Sequence, residues 1–445
     1  MATKAEVTRP SASCGTSYSR RLNDEYDVDV FVAGGGPAGI CAAVAAARMG
    51  ARVFVAEATG AFGGAATAAY VPAFAPFYDG RRQIVGGIGG EIRSRISKDV
   101  PITAYWTPID LEELKRVYDD IVVKSGVQFS FFTTLCDVIA DNGRVERAIL
   151  ATKRGLFAVH ARMFVDCTGD GDLAAFAGAR FEKGDDNGTV MPCTLCSQWV
   201  DIDTTAKNPH AQTLLPKAIE DGVFTVPDLH LPGFFFGPQK GSSLGRGNLV
   251  HAFNVDPTDE RSLTSGMIDA RRRMPEYERF YKKYLKGYER MSIASTAPFM
   301  GVRESRRIIC DYMLDVKDFL KRSNFDDGIG RYCYPVDMHP SKPGDQKEFE
   351  AFMKEYMKDL CYKAGESYGI PYRSLIVKGF DNLLVAGRCM GTDRKMQASI
   401  RVMPGCFITG QAAGTAAAMA LDNGQTRDVD IGTLREKLVA AGAVI

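Results

Sequence analysis

The sequence predicts an α/β fold: a mostly parallel sheet with helices packed against it, interrupted by an inserted α+β segment. Three stretches predict it. Residues 27–57 read as an apolar strand, a glycine turn, a small-residue helix, a second strand and a closing acid. Residues 162–172 read as a second buried strand running into a glycine turn, and residues 382–388 as a third that ends the same way. Strands that alternate with helical stretches favour a parallel, crossover-connected sheet.

The first unit is the most informative. Residues 28–32 form the buried strand, and Gly34 permits the tight turn after it. Gly36 lets the backbone approach a pyrophosphate, Pro37 and Ala38 open the helix, and Gly39 lets that helix pack close to the sheet. Phosphates then sit at the positive helix N-terminus. Glu57, 23 residues after Gly34, ends the second strand where a ribose hydroxyl can donate to it. A bare glycine triplet carries little weight. Strand, turn, helix, strand and acid in order make a dinucleotide-binding fingerprint.

The remaining elements follow in chain order. Phe62, Gly63, Gly64 and Thr67 belong to a second glycine loop. The cluster at 86–91 lacks a strong preceding strand and a downstream acid, so it reads as a tight turn opening a helix. Residues 108–124 read as a helix started by Pro108 and Asp110, with Leu111, Leu114, Val117 and Ile121 on its apolar face and Gly126 beyond its end. Strands are expected at 127–133, 144–152 and 156–160, with Asn142-Gly143 as a hairpin turn. A small-residue helix is expected at 173–179. Residues 180–300 lose the alternation and carry a Pro/Phe-rich loop at 231–238 and a charged helix over about 257–287, which together read as a separate cap. Residues 341–368 are charged, mostly helical and at the surface. Residues 404–421 form a Gly/Ala-rich helix, and Gly405, Gly410 and Gly414 are tolerated there only for close packing. No internal repeat is visible.

A chain of 445 residues accommodates two or three domains or one discontinuous enzyme. The expected division is a disordered tail over 1–24, a nucleotide-binding domain from 25–70, 110–180 and 375–445, and a substrate or cap domain from 71–109 and 181–374. A net charge of +1 offers no global field for nucleic acid or anionic membrane. No run of about 20 apolar residues is present, so no membrane span is expected. Eleven cysteines, an odd number, and a polar N-terminus with no leader indicate a reduced, cytoplasmic setting.

These pieces resemble the FAD-dependent oxidoreductases of the glutathione-reductase-like (Rossmann) flavoprotein superfamily. Four blocks carry the resemblance: 34–57 with Gly63, Gly64 and Thr67; 166–172; 301–307; and 382–388 running on to 401–404 and 410–414. It spans about residues 27–421, and the third and fourth blocks are its more specific parts. The resemblance implies FAD as cofactor. It implies Gly34, Gly36, Pro37, Ala38 and Gly39 at the pyrophosphate, Glu57 at the adenosine ribose, and Gly63, Gly64 and Thr67 along the flavin side. Thr168, Gly169 and Asp170 would pack against the adenine and ribitol half, with Gly387 and Arg388 beside the pyrophosphate. The turn at Pro404-Gly405 would aim a helix N-terminus at the flavin N1/O2 edge, where a helix dipole stabilises the negative charge of reduced flavin. Arg394 stands where members of the family often carry a His. That departure removes a base or flavin-linking His and suggests an anionic or altered substrate.

The chemistry narrows further. Only one dinucleotide unit is present, so no NAD(P)H domain is expected and the electrons pass between an organic substrate and oxygen, a quinone or a carrier protein. Residues 63–135 hold no Cys, which argues against a disulfide reductase. Cys193 and Cys196 have metal-ligand spacing but no second pair, so they read as core cysteines and no metal is expected. His339, two residues after Asp337, is the candidate base, with His251 as a second candidate; the other three histidines read as surface or core. Arg303 and Arg401 are the candidates for orienting substrate. Were 303–307 helical, Arg303 and Arg307 would share a face; the plainer reading pairs Glu304 with Arg307. The expected activity is hydride transfer from a small polar organic molecule to the flavin. Two alternatives stand beside it: reduction of an activated C=C bond in a carboxylic acid, and a flavin-holding redox relay without its own substrate.

Overall fold

A computed structural model describes Ser19 and residues 21–230, 233–236, 243–344 and 346–445. Most of the expected N-terminal tail, and residues 231, 232, 237 and 238 of the Pro/Phe-rich loop, lie outside the described residues.

The main sheet has seven strands. Its order is Gln128–Ser130, Val53–Ala56, Asp24–Ala33, Gly155–Asp166, Arg144–Thr152, Thr134–Asp141, with Leu383–Val385 also paired to Gly155–Asp166. Pairing is parallel through the first four strands and Leu383–Val385, and antiparallel at the Arg144 side. The parallel strands Val53–Ala56 and Leu383–Val385 are fully buried, as crossover helices on a sheet require. Three expectations need correction. The first strand begins at Asp24, inside the expected tail. The pieces at 156–160 and 162–166 are one continuous strand, Gly155–Asp166. The hairpin turn joins Arg144–Thr152 to an unexpected strand, Thr134–Asp141, and both turn residues have positive φ (Asn142 47°, Gly143 77°), as a primed turn demands.

Two helices meet at the heart of the nucleotide unit. On Met403–Met419, a Cβ at Gly410 would lie 2.1 Å from the Ala38 carbonyl, and one at Gly414 would lie 2.0 Å from that of Ala42. Both contacts are with the helix Pro37–Arg48. The glycines are therefore the reason the two helices can touch backbone to backbone.

A second sheet, called the cap sheet below, is four-stranded and antiparallel in the order Phe234–Phe236, Gly245–Ala252, Cys193–Val200, Ser292–Thr296. The helix Glu260–Tyr284 covers one face, and its N-terminus is capped by Asp259, which accepts from the Arg261 and Ser262 amides. Leu195, Trp199, Leu249, Phe280 and Tyr281 form a second apolar core there. The other face is polar and carries Thr194 and Asn248. Cys193 and Cys196 are buried free thiols on these strands, and every described cysteine is free. No helix among the described residues is long and apolar enough to cross a membrane.

Candidate functional site

The first glycine loop separates three roles. Gly34 sits at φ +90°, and a Cβ there would meet the Cys167 carbonyl at 2.7 Å. A Cβ at Gly39 would lie 1.8 Å from the Gly34 carbonyl, so the helix starts in direct contact with the loop. Gly36 is different: nothing lies within 4 Å of where its Cβ would be. Gly64 packs close to the Gly36 backbone, and a Cβ there would come 3.2 Å from the Gly36 Cα. The helix N-terminus beside them has no side-chain cap and no acid in its first turn. Its free amides and the positive end of its dipole suit an anion. Glu57, 6% exposed, accepts from the Gly35 amide (2.8 Å) and the Thr59 amide (2.8 Å), which leaves lone pairs for a further donor. Thr67 donates to the Phe62 carbonyl and closes the second loop. This cradle fits a dinucleotide.

The second and third glycine turns are locked to each other. Asp166, fully buried, accepts from the Thr168 hydroxyl (2.7 Å) and the Ala174 amide (2.9 Å). Burial pushes its carboxyl up to about 6 against these hydrogen bonds. Arg388 donates to the Gly169 carbonyl (2.9 Å), the Asp170 carboxylate (2.6 Å) and the Val302 carbonyl (2.6 Å). Gly387, at φ +79°, approaches Ala38, and a Cβ there would be 3.0 Å from the Ala38 Cβ. A Cβ at Gly405 would strike the Ile400 carbonyl at 2.4 Å. The Met403–Met419 helix likewise has no side-chain cap and no acid in its first turn.

The segment 301–308 is not a helix. It is irregular until the short strand Arg306–Ile308, so Arg303 and Arg307 do not share a helical face. Arg303 is 6% exposed and reaches the cap sheet, where it donates to Pro192, Thr194 and Asn248. Glu304 does pair with Arg307 (3.0 Å), and it also takes Arg394 at 2.8 Å and 3.1 Å. Arg394 is therefore matched by a buried carboxylate, which weakens its reading as the mark of an anionic substrate.

The histidines converge. His339 Nε2 lies 3.4 Å from Asp337 Oδ2, and its Nδ1 lies 3.2 Å from His251 Nε2. His251 Nδ1 in turn lies 2.6 Å from Asp228 Oδ2. Arg401, immediately before the Met403–Met419 helix, donates to the carbonyl (3.2 Å) and carboxylate (3.3 Å) of Asp337. His230 stacks on His339 with ring centroids 4.5 Å apart. Burial, then the nearby Arg303, holds His339 well below the usual histidine range, outweighing Asp337. Burial also lowers His251, with Asp228 opposing, and takes His230 down to about 4. Burial works to raise Asp337, but His339 and Arg401 outweigh it and hold the carboxyl far below its ordinary value. Burial and Arg401 bring Arg303 down to about 10. A cavity of about 30 Å³ borders Asp228, His230 and His251 and reaches Lys342.

Sequence reasoning paired His339 with Asp337 correctly as neighbours but read His230 as surface or core. No spacing rule could join His230, His251 and His339, because a cap strand and two loops assemble them. Arg246 was also missed. It is 4% exposed, its Nε and Nη1 have no partner among the described residues, and its Nη2 comes only within 3.8 Å of Asp110.

The model of the FAD dependent oxidoreductase family matches residues 29–438. No curated protein matches the sequence. Among solved structures, a geranylgeranyl bacteriochlorophyll reductase-like protein from Thermoplasma acidophilum is 12% identical, with a TM-score of 0.46 over 94% of this chain and 84% of that one. The p-nitrophenol 4-monooxygenase PnpA from Pseudomonas putida is 13% identical, with a TM-score of 0.45 over 94% and 85%. The flavin-dependent brominase Bmp2 is 11% identical, with a TM-score of 0.47 over 92% and 83%. These three likenesses carry no argument about chemistry. The family match covers nearly the whole described chain, and the protein belongs to the FAD-dependent oxidoreductase family, an enzyme with FAD as its cofactor.

Proposed function

We propose that the protein is a dehydrogenase or oxidase, of the glutathione-reductase-like branch, acting on a small polar organic substrate. The single observation that carries this reading is the buried string Arg401–Asp337–His339. It begins one residue before the N-cap of the Met403–Met419 helix, Val402, and presents a neutral imidazole as proton acceptor. FAD supplies the two-electron acceptance that protein side chains lack.

In this reading Gly34, Gly36, Pro37, Ala38 and Gly39 hold the pyrophosphate, and Glu57 accepts from the ribose. Gly63, Gly64 and Thr67 line the flavin side. Thr168, Gly169 and Asp170 pack along the cofactor, and Gly387 and Arg388 hold that turn in place. Gly405 lets the second helix N-terminus come close to the flavin. The cofactor domain is 25–70, 110–180 and 375–445; the cap is 71–109 and 181–374. His339 takes the substrate proton. Arg401, with its Nε buried and unpartnered, orients the substrate, and Arg246 contributes an open donor edge. Arg303 keeps His339 neutral while bracing the cap sheet. Oxygen, a quinone or a carrier protein accepts the electrons.

The test is anaerobic mixing of the holoenzyme with a panel of sugars, polyols and hydroxy acids while flavin absorbance is followed. Bleaching by one class supports the reading. No bleaching by any of them, with reoxidation of chemically reduced enzyme by an unsaturated acid, would overturn it in favour of a C=C reductase.

A further inference from the structure

The Asp228–His251–His339–Asp337 string has three gaps, of 2.6, 3.2 and 3.4 Å in that order. Each gap holds one hydrogen at most. Both carboxylates accept only, and two neutral imidazoles bring one N–H each. One gap is therefore without a hydrogen. The 2.6 Å gap has the length of a charge-assisted bond, so His251 Nδ1–H donates to Asp228. That leaves His251 Nε2 as an acceptor, and the 3.2 Å gap to it, shorter than the 3.4 Å gap to Asp337, favours His339 donating from Nδ1. The vacancy falls at His339 Nε2, in the longest gap, beside Asp337 and Arg401.

We propose that His251 and Asp228 form a proton relay behind His339. The proposal rests on the reading of His339 as the base. A substrate O–H or N–H bond breaks and a bond to His339 Nε2 forms. The His339 Nδ1–H bond then breaks as His251 Nε2–H forms, which places the positive charge beside the Asp228 carboxylate. His251 Nδ1–H passes to Asp228 and on to solvent, which leaves both imidazoles neutral with hydrogen on Nε2; the reverse shift, delivering the His339 Nε2 proton to the reduced electron acceptor, resets the relay. The substrate's C–H electron pair leaves separately, as hydride, to the enzyme's FAD. The cavity of about 30 Å³ against Asp228 and His251 is wide enough for a water, since one water needs roughly 10–15 Å³ of such volume. It reaches exposed Lys342, which gives the proton a way out.

The cations around the string explain its direction. Arg303 lies on the His339 side, and Arg401 holds Asp337. Arg273, from the cap helix, donates to the His251 carbonyl. His230, stacked on His339, is pushed down by burial, which disfavours positive charge on it. Asp228 is the remaining anion in the string, and it lies at the cavity end. His251 is thus a positioning and relay residue rather than one that touches substrate.

Two measurements test this. The first uses the holoenzyme labelled with 15N-histidine at neutral pH, its signals assigned with His251→Gln and His339→Gln. The expected result is both residues neutral with hydrogen on Nδ1. Hydrogen on Nε2 of His251 would overturn the relay whatever the activity. The second is the anaerobic rate of flavin reduction at saturating substrate. Asp228→Asn keeps an acceptor for His251 but removes the charge that favours its protonated form; the expected effect is a rate about 10- to 100-fold lower, at the lower end of acid–base contributions, with KM unchanged and the acidic limb of the pH profile moved to lower pH. A wild-type rate and pH profile in Asp228→Asn and His251→Gln, with His339→Gln inactive, would overturn the relay and leave His339 as the base. Activity retained in His339→Gln would overturn both.

Discussion

Alanine at Gly36 and alanine at Gly39 should fail in different ways, and the difference tests the cofactor cradle. Gly36 has φ −72° and ψ −172°, which any residue adopts, and its Cβ would meet nothing within 4 Å. Gly36→Ala should leave the apoprotein intact, or stabilise it by about 0.4–1 kcal/mol through the unfolded chain. The new methyl would stand in the open space beside the helix N-terminus. Forcing a methyl into a filled site costs about 1–3 kcal/mol, which is roughly a 5- to 150-fold weaker Kd for FAD. Gly39→Ala gains up to about 1 kcal/mol of helix propensity. Its Cβ, however, would lie 1.8 Å from a backbone carbonyl oxygen and 3.2 Å from the Cys167 Cβ. The helix start would have to retreat by about 1.5 Å to restore ordinary contact distances, so both apoprotein stability and FAD affinity should fall. Denaturant titration of the apoproteins and quenching of FAD fluorescence measure the two quantities separately. FAD binding by Gly36→Ala at wild-type affinity would refute the cradle, and an undisturbed Gly39→Ala apoprotein would refute the close-packing argument.

Other predictions follow from buried charge. Glu304, fully buried between Arg307 and Arg394, should cost about 3–5 kcal/mol when replaced by Ala, because two arginines lose their partner; a denaturation midpoint near wild type would contradict this. Asp166 has a folded pKa raised to about 6 from 3.8, so the fold disfavours its ionised form. Its contribution is therefore most favourable below 3.8, is lost as pH rises to about 6, and is flat above. The stability of wild type relative to Asp166→Asn, measured by denaturation across that window, should fall with rising pH; a rise would contradict the assignment. Arg246→Met should leave apoprotein stability unchanged or raise it, since a buried cation with two unpartnered nitrogens is removed, while raising KM for anionic substrates. A destabilised apoprotein with unchanged KM would make Arg246 a structural residue only.

The sequence made the cofactor side legible because its signals are local. Gly34, Gly36, Gly39 and Glu57 sit within one strand–helix–strand unit; Gly34 and Gly39 answer to close contacts in or beside that unit, and Gly36 to open space. The packing reason for Gly410 and Gly414 was also readable, since a helix interior rarely keeps glycines otherwise; their partners Ala38 and Ala42, far away in sequence, were not. The cap was read poorly. Its strands alternate Leu195 and Trp199 with Thr194 and Gln198, a pattern masked by the irregular register between Leu195 and Ser197. The Arg303–Arg307 segment carries helix-compatible charge spacing, but its side chains are drawn to three different partners. Glu304 goes to Arg394, Arg303 to the cap sheet, and Arg306 to Asp170 and Asp172. Tertiary pairing overrode local propensity there.

One side chain joins the legible half to the illegible half. Arg388 ends the last sheet strand and bonds both the Gly169–Asp170 turn and the carbonyl of Val302. The next residue, Arg303, reaches Thr194 and Asn248 on the two central cap strands. Asn248 shares its strand with His251, which meets His339 and, through Asp337, Arg401 at the start of the second uncapped helix. The path closes on itself, from one glycine turn through the cap and back to the nucleotide domain. A shift of the cap would have to break charge-assisted bonds at Arg388, Arg303 and Arg401 together. The His251–His339 distance is thus fixed by the same residues that fix the cap on the sheet, which is how a histidine pair assembled from distant segments keeps a hydrogen-bonded geometry.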